Sequence, residues 1–213
     1  ISKKFNLKIL EDAAEALGSF YMGKHAGTMG HAGIISFNAN KVITTGGGGV
    51  VLTGSSYLAN QVRHLTSTAK LQHPWKFIHN KVGWNYRMPN INAALGCAQI
   101  EKINIILKYK KKITKKYQKE FKSLSGFTFV KQPKGCTSNY WLNTIKASNS
   151  TIEERDKLLK KLNNNYYECR PTWNLLHKLP MYRLCPKSTL YNSEKLEKKL
   201  ITLPSSPVYG KNN

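Results

Sequence analysis

An α/β fold followed by a smaller α+β portion is what this sequence predicts, on three observations. The apolar β-branched runs Ile34-Ile35 and Val50-Val51-Leu52 read as strands buried on both faces, as in a sheet covered by helices. The stretch Ser55–Ser67 carries Leu58, Val62 and Leu65 at helical spacing. Past Gly126 the texture changes: Phe127-Thr128-Phe129-Val130 and Tyr140–Ile145 read as strands separated by a turn at Pro133-Lys134-Gly135, and Thr151 opens a helix.

In chain order, Phe5–Leu10 reads as a strand that runs straight into Glu11-Asp12-Ala13-Ala14-Glu15-Ala16. An aspartate at a buried strand end can pair with a cationic ring nitrogen; the alternative is that Asp12 caps the turn that follows. Between the runs at Ile34 and Val50 lie Ser36, a single Lys41, Thr44, Thr45 and four successive glycines, Gly46–Gly49. A lysine held in a pocket loses its proton readily and can form a Schiff base with a carbonyl compound, whereas an exposed one is an ordinary solvated cation. Hydroxyls and glycine N–H groups beside it are the usual means of holding a phosphate, though a glycine run can equally be a plain turn.

Further on, Gln72–His79 is an aromatic loop bearing Pro74, suited to packing an interface or covering a nucleobase. Pro89-Asn90 opens a long helix whose apolar face runs through Ile91, Leu95, Ala98, Ile100, Ile103 and Leu107. The basic run Lys108–Lys112 is expected to be its solvated face. In the helix that Thr151 begins, Glu153 and Glu154 sit at the positive end, and Leu158, Leu159 and Leu162 point inward. These divisions place a large domain at 1–107, a connecting helix at 108–125 and a small α+β domain at 126–213.

A net charge of +23 raises nucleic acid or an acidic membrane surface as a partner. Lysine supplies 29 of the 34 basic residues, however, and nucleic-acid readers favour arginine for bidentate and stacking contacts. With no nucleic-acid-binding motif, specific binding of that kind is not expected; a positive field would still draw in a nucleotide diphosphate. Cys97, Cys136, Cys169 and Cys185 lack Cys-x-x-Cys spacing and read as reduced thiols of a cytoplasmic protein. The six histidines lack metal-ligand spacing, and no apolar run approaches the length of a membrane span.

Four blocks together carry a resemblance: Glu11–Ser19, Ser36-Phe37-Asn38-Ala39-Asn40-Lys41 with Thr44–Gly49, Gly83-Trp84-Asn85-Tyr86-Arg87-Met88-Pro89-Asn90, and Ala93-Ala94-Leu95-Gly96 with Gln99. In order and spacing they resemble the DegT/DnrJ/EryC1/StrS sugar aminotransferases, and their wording is most similar to the legionaminic-acid (LegC-type) branch and its bacillosamine-pathway relatives. The resemblance implies a fold-type-I aminotransferase dependent on pyridoxal phosphate. Its α/β large domain would have three layers, and this chain would hold the C-terminal part of it plus the small domain. It implies that Lys41 forms the Schiff base and shuttles the proton, that Asp12 pairs with the pyridinium nitrogen, and that Ser36 binds the cofactor phosphate. Asn85 would reach that phosphate from the partner subunit of a homodimer, and Glu15 would lie near the ring, where much of the family has glutamine or histidine. Family members with histidine at the lysine position are dehydratases, and Lys41 argues against that here.

The implied reaction moves an amino group from an amino acid, glutamate being the expected donor, to C4 of a UDP- or GDP-linked 4-keto-6-deoxy sugar. The setting is cytoplasmic synthesis of cell-surface polysaccharide or lipopolysaccharide of legionaminic acid or bacillosamine type. Arg87 and His177 are candidate sugar-nucleotide contacts. Arg170 is another, where its fork grips phosphate, or else it is a structural arginine beside Pro171. Family members are considerably longer, so a chain opening Ile1-Ser2-Lys3-Lys4 is expected to lack about the N-terminal half of such an enzyme. Beside this reading stand an inactive fragment and a lysine-rich, nucleic-acid-associated module that merely keeps the fold.

Overall fold

The computed structural model describes residues 1–148 and 150–211. It separates into two compact units, Ile1–Leu107 with Pro133–Trp141, and Lys108–Gln132 with Leu142–Asn213. The segment Pro133–Trp141 thus packs with the first unit, not with the rest of 126–213 as its position in the sequence suggested.

The first unit opens with a single helical turn, α1 (Ser2–Phe5), and of the strand expected at Phe5–Leu10 only Leu10 lies in a strand. Asn6 adopts the left-handed conformation (φ 48°), and the Leu7 N–H folds back onto the Ser2 carbonyl, so the extended run begins only later. Strand β1 (Leu10–Asp12) is followed by a small antiparallel pair, β2 (Phe20–Tyr21) and β3 (Lys24–His25). Strand β4 (Ala32–Ser36) lies parallel to β1, with Leu10 opposite Ala32 and Asp12 opposite Ile34. Strand β5 (Gly49–Leu52) is antiparallel to β4, which gives the sheet order β1-β4-β5.

Two features hold the excursion from β1 to β4. The Glu11 carboxylate accepts the backbone N–H groups of Gly27, Met29 and Gly30, and it is lowered from the ordinary glutamate range. Desolvation works against that shift, but the three N–H donors outweigh it. At the other contact, a Cβ on Gly33 would lie 2.1 Å from the Gly27 carbonyl oxygen, so that approach requires glycine. The two-faced burial expected of the strands holds only in part. Ile35 is 2 % exposed, but Ile34, Val50 and Val51 are each more than a third exposed.

Helix α2 (Ser56–Thr66) forms where its periodicity predicted, with the Ser55 hydroxyl accepting the Leu58 N–H at 3.2 Å. A hairpin, β6 (Lys70–Leu71) and β7 (Ile78–His79), carries the aromatic loop at its tip. The long helix expected from Asn90 is two helices, α3 (Asn90–Ile100) and α4 (Ile103–Ser123). Between them the Lys102 N–H bonds to Gln99 O, three residues back, which tightens the turn and interrupts the α ladder. Later in the chain, after β8 (Phe127–Phe129), strand β9 (Cys136–Thr137) pairs with β2 and completes a three-stranded sheet, β3-β2-β9.

In the second unit, β10 (Asn143–Ala147) alternates buried and half-buried residues. It starts three residues later than predicted because Tyr140 is left-handed (φ 46°) and breaks the extended run. Helix α5 (Ile152–Asn164) has a capping box in which Thr151 and Glu154 satisfy each other's backbone N–H groups. With β11 (Arg170–Pro171), α6 (Tyr191–Glu197) and β12 (Leu200–Leu203), the unit builds an antiparallel sheet of order β11-β12-β10-β8. Phe129, Ile145, Leu159, Ile201 and Leu203 are buried in it.

The run Lys108–Lys112 is not uniformly solvated. Lys110 shares a helix face with buried Ile113 and Thr114 and is itself only 3 % exposed. Its ammonium donates to the Ser205 carbonyl at 2.7 Å, which is what makes burial of the charge tolerable. All four cysteines are free thiols. Among the described residues no helix is long and apolar enough to cross a membrane, and no cluster of side chains could hold a metal ion.

Candidate active site

Asp12 closes β1 and Ser36 closes β4. Because these strands are parallel neighbours, the loops that follow them leave from the same edge of the sheet, the carboxyl edge where open α/β sheets bind ligands. Asp12 is exposed, and its Oδ1 accepts the Ala14 N–H at 3.2 Å, so it does cap the turn after β1. Its second oxygen makes no hydrogen bond to the described residues and stays open. The Ser36 hydroxyl accepts the Asn38 N–H at 3.2 Å and bends the chain toward Lys41, whose own N–H donates to the Asn38 carbonyl at 3.1 Å.

The glycine-rich stretch after Lys41 is held from several sides. Thr45 N–H and the Thr44 hydroxyl both donate to the Phe37 carbonyl, and Gln99 of α3 accepts the Thr44 N–H at 3.0 Å. Asn92, also on α3, donates to the Thr45 carbonyl. Ile43 and Thr45 are almost wholly buried. The loop carrying Lys41 therefore has fixed ends, and its glycines bring backbone, not side chains, to the surface.

Lys41 itself is enclosed. Its side chain is 14 % exposed, and its Nζ lies 3.0 Å from Oε1 of Glu15 and 4.3 Å from the centre of the Trp141 ring. Trp141 is set by two bonds: its indole N–H donates to the Asn40 carbonyl at 2.6 Å, and its backbone N–H donates to Oδ1 of Asn139 at 2.8 Å. Asn139 in turn donates through its side-chain amide to the carbonyls of Glu15 and Leu17, and its backbone N–H donates to the Ser19 hydroxyl oxygen. Sequence reasoning missed both residues. They lie about a hundred positions from their partners, no periodic signal marks them, and Tyr140-Trp141 reads locally as strand.

A cleft of about 710 Å³ opens beside this loop, lined among others by Ser36, Gly48, Arg63, Tyr86 and Arg87. Of the predicted site residues, Ser36 and Arg87 line it, and Asp12, Glu15 and Lys41 do not. Asn85 is exposed, bridged to Ser67 just past the end of α2. Arg170 and His177 belong to the second unit. There, exposed Arg170 donates to Glu168 at 2.6 Å, and mostly buried His177 lies 3.1 Å from Glu194.

A family model described as the DegT/DnrJ/EryC1/StrS aminotransferase family matches residues 1–212. The chain belongs to that family. This DegT/DnrJ/EryC1/StrS member is 36 % identical over 211 residues to a GDP-perosamine synthase of Escherichia coli O157:H7, an alignment covering 97 % of this chain and 55 % of the relative. It is 35 % identical over 132 residues to a UDP-4-amino-4,6-dideoxy-N-acetyl-beta-L-altrosamine transaminase of Campylobacter jejuni, covering 62 % of this chain and 35 % of the relative. Among solved structures, Helicobacter pylori PseC, an aminotransferase involved in the biosynthesis of pseudoaminic acid, superposes with a TM-score of 0.89 at 25 % identity. That match covers 99 % of this chain and 58 % of PseC. The chain thus spans about half the length of the first of these relatives, and the α/β fold expected from the four sequence blocks is the fold these aminotransferases share.

Proposed function

We propose that this chain carries the lysine-bearing part of a pyridoxal phosphate-dependent aminotransferase acting on a nucleotide-linked 4-keto-6-deoxy sugar, with glutamate as the amino donor. The observation that carries this reading is the enclosed Lys41 amine on a rigid loop following β4, beside a parallel strand that ends in an aspartate with one open oxygen. The names of the two relatives, one GDP-linked and one UDP-linked, support a nucleotide sugar as substrate.

The donor set suits the cofactor. The open Asp12 oxygen would pair with a cationic ring nitrogen and keep it protonated, while the same side chain goes on capping its turn. The Ser36 hydroxyl would donate to the phosphate, and the glycines after Lys41 admit a bulky anion where side chains would exclude one. Bound pyridoxal phosphate supplies an aldehyde that carries the amino group and a ring that accepts the electron pair left on carbon. Lys41 would be the residue that holds that aldehyde group and, when its amine is free, would take and return the proton at the reacting carbon. Glu15 must let go of the amine for this to happen, which makes it a gate on Lys41. Arg87 in the cleft, and Arg170 and His177 in the second unit, are the proposed contacts to the sugar nucleotide. Asn85 is proposed to complete the phosphate site of a second copy in a homodimer.

Incubating the chain with pyridoxal 5'-phosphate, reducing with borohydride and mapping the modified peptides tests the assignment. Lys41 should be labelled far ahead of the other lysines, and Lys41→Ala should abolish the fast phase. Uniform labelling across the surface lysines would overturn the reading.

A further inference from the structure

Lys41 has two partners of different kinds, and the second comes from a distant part of the chain. Glu15 meets the amine at 3.0 Å through a carboxylate oxygen, and Trp141 meets it through the face of its ring at 4.3 Å. A carboxylate and a ring face both attract an ammonium group, but they restrict it differently. The glutamate side chain is nearly half exposed and can swing away. The indole cannot swing, because its N–H is bonded to Asn40 O, one residue before Lys41, and its backbone N–H is bonded to Asn139.

Asn139 extends the same arrangement to the other partner. Its amide donates to the carbonyls of Glu15 and Leu17, at 2.8 and 2.9 Å, so the turn that carries Glu15 and the ring that covers Lys41 are fixed by one buried side chain. Behind it, β9 pairs with β2 and anchors the segment Pro133–Trp141 in the first unit.

We propose that Trp141 is a positioning residue for the Lys41 amine and that Asn139 positions Trp141. The ring face keeps the amine on the carboxyl edge of the sheet when Glu15 lets go, and the indole bond to Asn40 fixes where the lysine's loop begins. This rests on the reading of Lys41 as the reactive lysine. It adds that the amine's direction is set by residues in the segment 133–141, outside the loop that carries Lys41.

The test is site-resolved labelling of the whole chain with trinitrobenzenesulfonate, followed by peptide mapping, in the unaltered protein and in Trp141→Ala, Trp141→Phe and Asn139→Ala. With Trp141→Ala the rate at Lys41 should rise roughly threefold or more, the scale set by loss of a cation–π contact. Exposed Lys24 and Lys76 serve as internal references and should not change. Trp141→Phe keeps a ring face and should restore part of the protection. Asn139→Ala should resemble Trp141→Ala. An unchanged Lys41 rate in both alanine variants overturns the proposal. If Trp141→Ala accelerates every lysine alike, the variant has unfolded, and Trp141→Phe and Asn139→Ala decide: selective acceleration at Lys41 supports the proposal, and none overturns it. A parallel arm with pyridoxal 5'-phosphate and borohydride separates the two readings. Selective protection of Lys41 by Trp141, without preferential capture of Lys41 by the cofactor, would leave the positioning role standing and remove the aminotransferase reading.

Discussion

The Lys41 ammonium and the Glu15 carboxylate form an ion pair at 3.0 Å, bridging the turn after β1 and the loop after β4. Glu15 is partly solvated, so the pair contributes at most about 1 kcal/mol to stability. Glu15→Gln should therefore leave the thermal midpoint within a few degrees of the unaltered protein while raising the rate at which pyridoxal 5'-phosphate captures Lys41. A slower capture would show that Glu15 delivers the amine and does not restrain it.

Asp12 has two jobs that a single substitution separates. Asn keeps a carbonyl oxygen for the Ala14 N–H, so Asp12→Asn should change stability by less than about 0.5 kcal/mol. A neutral amide cannot hold a ring nitrogen protonated, so in an enzyme of the relatives' full length, transamination should fall by roughly a hundredfold or more with cofactor still bound. Rates within a factor of two would confine Asp12 to capping.

Glu11 ties stability to acid. Its carboxyl is held below the usual range, with desolvation opposing and the Gly30, Gly27 and Met29 N–H groups prevailing. The folded form therefore binds its proton later than the unfolded chain as pH falls. The stabilisation is full above the ordinary glutamate range and drains away as pH drops through the folded value. Denaturation followed from pH 7 to pH 3 should show Glu11→Gln less stable by about 1 kcal/mol at neutral pH, with the gap closing in acid. A constant gap would mean that charge is irrelevant to the contact.

Lys110 ties stability to pH in the same direction but in an alkaline window. Burial pushes its amine down to about 8 from the usual 10.5, so between those values the unfolded chain holds a proton that the folded protein has released. Stability then rises with pH across that window, by about 3 kcal/mol in total, and the gain is lost as pH falls back toward 8. Lys110→Met keeps the packed stem and removes the titration. The difference in unfolding free energy between the two proteins should shift by that order between pH 7 and pH 10.5. A flat difference would show that the amine keeps its proton throughout.

Local chemistry made much of this molecule readable. The cap at Ser55, the box at Thr151 and Glu154 and the apolar run at Ile34-Ile35 act within a few residues of themselves, so α2, α5 and β4 lie where expected. The strand ahead of Asp12 was expected at Phe5–Leu10 and is found at Leu10–Asp12, and the ends of β1 and β4, at Asp12 and Ser36, mark the candidate site. What escaped was set by distant partners. Asn6 and Tyr140 take left-handed backbone where neighbouring residues favour strand, Lys110 is drawn inward by a carbonyl 95 positions away, and Trp141 finds Asn40 across 101. A pattern read in a window of a dozen residues cannot register such bonds.

The separation of Trp141 from Lys41 along the chain bears on inheritance. A crossover between two related genes anywhere from α3 to β8 would keep Asp12, Glu15, Ser36 and Lys41 together but exchange the ring that covers the amine. Chimaeras of that kind would differ at the lysine even though every residue of its own loop came from one parent. Trp141 and Asn139 reach the backbone carbonyls at Asn40 and Glu15, which any residue there supplies. Drift in those two side chains therefore leaves the bonds in place, and it is replacement at 139 or 141 that such an exchange would expose.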